Sequence, residues 1–317
     1  MKYLSTLVLV IVTLAACVAS RAQEPAAETA PAAEPELSAE ERAAAERTAS
    51  LQQLAAANGD EYRQLGKGDE HAEVLITAVR KNQDTGILLL IPGDGLKPTT
   101  SPGLAQLRRH LPDHGWNIWL LALERPPLVN TRYLDPPAEP ASESPGDGEA
   151  PASDSTATDA DGSTSNAKTL DERDAQAWTE WLEIVTPRVA LAASEARSNN
   201  AGKLIIVAEN EGESGALAAL RDDPALADGV ILISSVSGGT ADKRWPEPYP
   251  EAVLEIMSPL LNREHGNRLR DDAIKAGIPK YEQAVIEYAD WPLDDSRSPL
   301  IRRTRGWLKR LVDGQQP

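Results

Sequence analysis

Five short aliphatic runs punctuate the chain: Ile87 to Ile91, Trp116 to Leu123, Lys203 to Ala208, Gly229 to Ser234 and Ala252 to Met257. Each is long enough for one strand and too short for a helix, and apolar residues fill both parities. Strands of that kind are buried on both faces. Helical signals lie between them. Ser101-Pro102 supplies an N-cap and a first-turn proline ahead of Leu104, Leu107 and Leu111. Thr169-Leu170-Asp171-Glu172 is a capping-box pattern before Trp178, Trp181, Leu182, Val185 and Val189 on one face, with a kink expected at Pro187. Gly212 to Leu220 turns into a helix, and Asn262 to Gly277 is polar and helical. Ser298-Pro299 opens a last helix bearing Ile301, Trp307, Leu308 and Leu311. Ala72 to Lys81 has strand composition and is read as pairing with Ile87 to Ile91 through the turn Asp84-Thr85-Gly86. Gln283 to Tyr288 is the last strand candidate. This order predicts an α/β fold: a mostly parallel sheet with helices on both faces.

The domain spans residues 60–134 and 169–313, interrupted at 135–168 by an acidic insertion. The insertion is rich in Pro, Ser, Gly and Asp/Glu, has no apolar periodicity, and reads as disordered. Its carboxylates are too irregularly spaced for a calcium loop. Residues 23–37 read as a disordered tether. Ser38-Ala39-Glu40-Glu41 is a capping box opening an Ala-rich helix over 38–59, whose weak apolar face predicts only marginal packing.

The N-terminus predicts export. Met1-Lys2 is followed by an almost continuously apolar Leu4 to Val18, a signal-peptide core within residues 1–22. The run ends Leu14-Ala15-Ala16-Cys17, which resembles a bacterial lipobox. Cys17 is the only cysteine in the chain, which favours acylation there over cleavage after Ser20-Arg21-Ala22. A lipid on Cys17 would tether a periplasmic domain to a membrane without spanning it. Net charge is −17, from 49 Asp plus Glu against 32 Lys plus Arg. That charge repels phosphate backbones and argues against nucleic acid as a partner. No cofactor or metal is expected, because no phosphate loop and no His or Cys ligand spacing is present. The basic cluster Arg302, Arg303, Arg305, Lys309 and Arg310 reads as the solvent-facing side of the last helix, with anionic lipid a secondary contact.

Several segments resemble the α/β-hydrolase fold, and in particular an uncharacterised family of bacterial envelope proteins with that fold. They are LLLIPGDG, LRRHLPDHGWNIWLLAL, LIIVAENEG and GWLKRL. The resemblance implies a nucleophile on a sharp turn after a buried strand, with small residues two before and two after it. Ala208 and Gly212 take the small positions, so Asn210, flanked by Glu209 and Glu211, takes the apex. A carboxamide does not attack carbonyl carbon. A second frame, Gly212-Glu213-Ser214-Gly215-Ala216, would put Ser214 on the bend. The fold's histidine belongs between the last strand and last helix, where Ala289 to Ser296 contains none. His71, His110 and His114 lie elsewhere, leaving His265, with Glu264 as acid, as the displaced alternative. Gly93, Asp94 and Gly95 fall where the fold builds an oxyanion hole, although a tight strand-to-helix loop needs the same glycines. The leading expectation is a catalytically degenerate envelope protein that binds a protein, glycan, peptide or lipid. The alternatives are a divergent esterase using Ser214 and His265, and a scaffold recruiting partners through its acidic insertion.

Overall fold

The computed structural model describes residues 38–68, 70–81, 84–93, 101–127, 163–200, 202–234, 250–259, 270–271, 273–287 and 295–314, with α3 side chains from residue 174 onward. Residues 1–43 and 44–317 cluster as two units, and the second holds the whole sheet. In chain order the elements are α1 (Ala39–Asn58), β1 (Glu61–Lys67), β2 (Glu70–Thr77), β3 (Gly86–Ile91), α2 (Pro102–His110), a 3-10 turn (Leu111–His114) and β4 (Trp116–Ala122). Then come α3 (Ser163–Asn199), β5 (Lys203–Glu209), α4 (Gly212–Asp222), β6 (Gly229–Ser234), β7 (Val253–Met257), β8 (Tyr281–Val285) and α5 (Pro299–Val312).

The eight strands among the described residues form one sheet in the order β1-β2-β4-β3-β5-β6-β7-β8. Only β2 runs against the others. Strand periodicity divides the aliphatic runs between two cores. Ile87, Leu89 and Ile91 of β3 join Leu204, Ile206 and Ala208 of β5 under Trp181, Val185 and Val189 of α3. On the opposite face, Leu88 and Leu90 join Ile205 and Val207 beneath Leu104 and Leu107 of α2 and Leu300, Trp307 and Leu308 of α5. Continuous apolar runs were therefore required, since each central strand is covered twice. The result is an α/β-hydrolase-like fold.

The caps form as their chemistry dictates. Ser101 Oγ accepts from the Leu104 N–H at 3.1 Å. Ser298 Oγ accepts from the Ile301 N–H at 3.3 Å and donates to Gln106 Oε1 at 2.8 Å, joining α5 to α2 inside the core. At the start of α1, the Ser38 N–H donates to Glu41 and the Glu41 N–H to Ser38 Oγ.

Several expectations require correction. The early hairpin is β1 with β2; β3 lies beyond β4 and does not pair with β2. Strand β1 (EYRQLGK) gave no apolar signal because it is the sheet edge, where only Leu65 is buried. Helix α3 begins at Ser163, so the pattern at Thr169 lies inside it, and the segment 163–168 assigned to the insertion is helical. Pro187 falls within that single helix. The last strand is Tyr281–Val285, shifted toward the N-terminus from the Gln283–Tyr288 reading. Helix α1 is not marginal. Leu51 and Ala55 are buried in the second core, and Thr48 and Arg47 engage Glu73 of β2. The basic residues of α5 do not share one environment, since Arg303 and Arg310 both pair with Glu282 of β8. The acidic stretch 135–162, the N-terminal 37 residues and the whole of the segment 262–269 lie outside the described residues.

Candidate functional site

Strand β5 and helix α4 are separated only by Asn210 and Glu211. The chain must reverse direction within those two residues, and it does so through a left-handed residue. Asn210 has φ 49°, the only positive φ among the described non-glycine residues. That region costs an ordinary L-residue about 1–2 kcal/mol, and Asn is among the few side chains that visit it routinely. Backbone hydrogen bonds hold the bend. The Asn210 N–H donates to the Ile233 carbonyl at 3.1 Å, and the Asn210 carbonyl accepts from the Glu213 N–H at 3.1 Å.

The neighbours are small because the backbones touch. A Cβ on Gly93 would stand 2.5 Å from the Glu209 carbonyl oxygen and 2.8 Å from Asn210 Cβ. A Cβ on Gly212 would meet the Ile91 and Pro92 carbonyl oxygens at 2.8 and 2.9 Å. The end of β3 thus packs directly onto the bend after β5, as the sheet order requires. Ala208 is fully buried beneath, and Asn210 and Glu209 are almost wholly buried.

Ser214 does not sit on this bend. It lies inside α4, with its Oγ buried and without a hydrogen-bond partner among the described residues. Gly215 behind it approaches Val185 of α3, which fixes α4 against the first core. Of the strand-to-helix loop after β3, Gly93 is described, whereas Asp94 and Gly95 lie outside the described residues, as do Glu264, His265 and Cys17. Strand β7 is followed by Ser258. Between β8 and α5 the sequence contains no histidine.

Of the described histidines, His110 and His114 lie toward the sheet end opposite the bend, whereas His71 lies at the bend's own end but three strands away, on β2. His71 begins β2, its Nδ1 2.8 Å from the Gly68 carbonyl oxygen. His110 ends α2, and His114 ends the 3-10 turn that leads into β4. Parallel strands β4 and β5 start at one sheet end, while the Asn210 bend lies at the other. Among the described residues no group of three His, Cys, Asp or Glu side chains is placed to hold a metal ion, and no helix is long and apolar enough to cross a membrane.

One feature escaped the sequence reading. A cavity of about 530 Å³ opens at the sheet end opposite Asn210, between α5 and the start of β4. The α5 cations were visible as a cluster, but Lys81 and His114, which complete the lining, come from distant segments.

No curated protein matches this chain. Among solved structures, similar chains include a lipase/esterase from Lactobacillus plantarum at 10% identity, covering 79% of this chain and 97% of that one, with a TM-score of 0.47. A serine hydrolase without a lid from Xanthomonas campestris aligns at 13% identity, over 81% and 95%, with a TM-score of 0.42. A dienelactone hydrolase-like promiscuous phosphotriesterase from metagenomic libraries aligns at 11% identity, over 81% and 99%, with a TM-score of 0.45. Residues 4–310 match the family model described as "Protein of unknown function (DUF3530)", and the chain belongs to that family.

Proposed function

We propose that this protein is an exported, lipid-tethered member of the α/β-hydrolase fold that has lost the catalytic triad and acts by binding a component of the cell envelope. The observation that carries the proposal is the strained bend after β5 with a carboxamide at its apex. An acyl-transfer enzyme needs a nucleophile there and a base within hydrogen-bond reach of it. Asn210 supplies no such nucleophile, and the β8-to-α5 connection has no imidazole. What Asn210 retains is the backbone geometry, which a left-handed turn demands whether or not chemistry follows. Export and tethering rest on the apolar N-terminal run and the single cysteine at its end. The ligand class is an envelope protein, glycan, peptide or lipid.

A panel of p-nitrophenyl esters, from acetate to laurate, tests the loss of catalysis when wild type is compared with Ser214→Ala. The expected result is equal, background-level hydrolysis by both. Turnover that disappears in Ser214→Ala would instead establish the divergent esterase with Ser214 as nucleophile. Against that second reading, the Ser214 Oγ is buried inside α4 with no hydrogen-bond partner among the described residues.

A further inference from the structure

The cavity at the sheet end opposite Asn210 has a composition at odds with the rest of the molecule. In a chain of net charge −17, its lining carries Lys81, Arg302, Arg305 and Lys309 against a single carboxylate, Asp313. The same helix shows what structural arginines look like here. Arg303 and Arg310 are both committed to Glu282. By contrast, Arg302, Arg305, Lys309 and Lys81 make no ion pair among the described residues; they converge from two segments on one hollow. Behind them stand Trp116, Leu308 and Val312. Like charges held against a low-dielectric wall without counter-ions raise the local potential, and an anion entering the hollow is what relieves it. His114 reports the same field. Burial first, then the nearby Arg305 and Lys81, hold its imidazole below the usual histidine range.

We propose that this cavity binds the phosphate group of an anionic ligand, with the Arg302 and Arg305 guanidinium groups as principal donors. Guanidinium forks match phosphate oxygens in pairs, and the two ammonium groups add point charge. A phosphate monoester is close to doubly charged and has three terminal oxygens, which suits four cations better than a single carboxylate does. The volume of about 530 Å³ lies in the range that holds a small organic ligand. The phosphate could come from a lipid headgroup or from a soluble phosphate ester. The site shares no residue with the Asn210 bend, so its fate is independent of the loss of catalysis.

The test uses the full chain and four probes: glycerol 3-phosphate and succinate by calorimetry, and phosphatidylcholine vesicles with or without 30% phosphatidic acid, whose headgroup is a phosphate monoester, by flotation. Two cavity variants, Arg302→Gln/Arg305→Gln and Lys81→Gln, alter exposed side chains on different elements. A control, Lys67→Gln/Arg125→Gln, removes two exposed charges elsewhere. The expected result is a loss of about tenfold or more in the double cavity variant, a smaller loss in Lys81→Gln and less than twofold change in the control. Binding of glycerol 3-phosphate with that pattern supports a soluble ester. Binding of phosphatidic acid vesicles alone with that pattern supports a lipid headgroup. Absence of both, equal losses in the control, or succinate bound as tightly as phosphate would overturn the assignment.

Discussion

At the scale of single residues, the bend after β5 sets strict demands. Asn210 occupies a left-handed conformation that glycine accepts freely and Cβ-bearing residues resist. Asn210→Ala is expected to destabilise the fold by about 1 kcal/mol, and Asn210→Gly to leave stability nearly unchanged. Urea denaturation of the two variants checks the order; equal losses would mean that the side chain, not the backbone, is what matters. Gly93 is stricter, because its missing Cβ leaves room for the Glu209 carbonyl and for Asn210 itself. Gly93→Ala should cost about 1–3 kcal/mol by forcing β3 and the bend apart. The elbow pattern was legible in the sequence from Ala208 and Gly212 alone, because backbone crowding leaves a mark on composition. The surroundings of Ser214 were not legible: which face of α4 turns inward depends on tertiary packing, where Gly215 meets Val185 of α3 across the sheet's first core.

At the scale of elements, the apolar runs announced β3, β4, β5, β6 and β7, because a strand covered on both faces has no room for polar residues. Edge strand β1 stayed hidden for the opposite reason, since only Leu65 of it is buried; helix α1 was announced over 38–59 by its capping box, but its docking was not, because many of its contacts are polar. Helix α1 is held by Leu51 and by a knot around Glu73, which accepts from Thr48 Oγ1 at 2.6 Å and Tyr62 Oη at 2.7 Å and pairs with Arg47. Arg47 and Arg188 of α3 also share Glu124. Leu51→Ala should therefore cost about 2–4 kcal/mol, where a loosely docked helix would lose almost nothing. Burial, then the hydrogen bond to Glu73 and that carboxylate's charge, push the Tyr62 phenol up to about 12. The folded state favours the neutral phenol. Its contribution is fully present below the ordinary tyrosine value near 10 and is lost as pH rises through about 12. Denaturation midpoints measured from pH 9 to 12 should fall less steeply for Tyr62→Phe than for wild type. Parallel curves would show that the phenol titrates alike in both states.

At the scale of the whole molecule, the strand order, the lone antiparallel β2 and the bend at the end of β5 define the scaffold, and its two sheet ends carry different chemistry. One end has the crowded bend with buried Asn210; the other has a cationic hollow assembled by α5 and the start of β4. The strand sequence foretold the first end, because each run passes straight into its turn. The second depends on β4 and α5 meeting across the sheet, which periodicity does not encode. If Cys17 carries the tether, Cys17→Ser should move the protein from the membrane to the soluble fraction of the envelope and abolish incorporation of radiolabelled palmitate. Retention in the membrane with unchanged labelling would refute lipidation.

The proposed loss of an activated nucleophile is tested most directly by treating the purified protein with a fluorophosphonate probe and mapping any adduct by mass spectrometry. The account predicts no serine adduct on the native protein. A stoichiometric adduct on Ser214, lost when His265 is replaced by alanine, would contradict it.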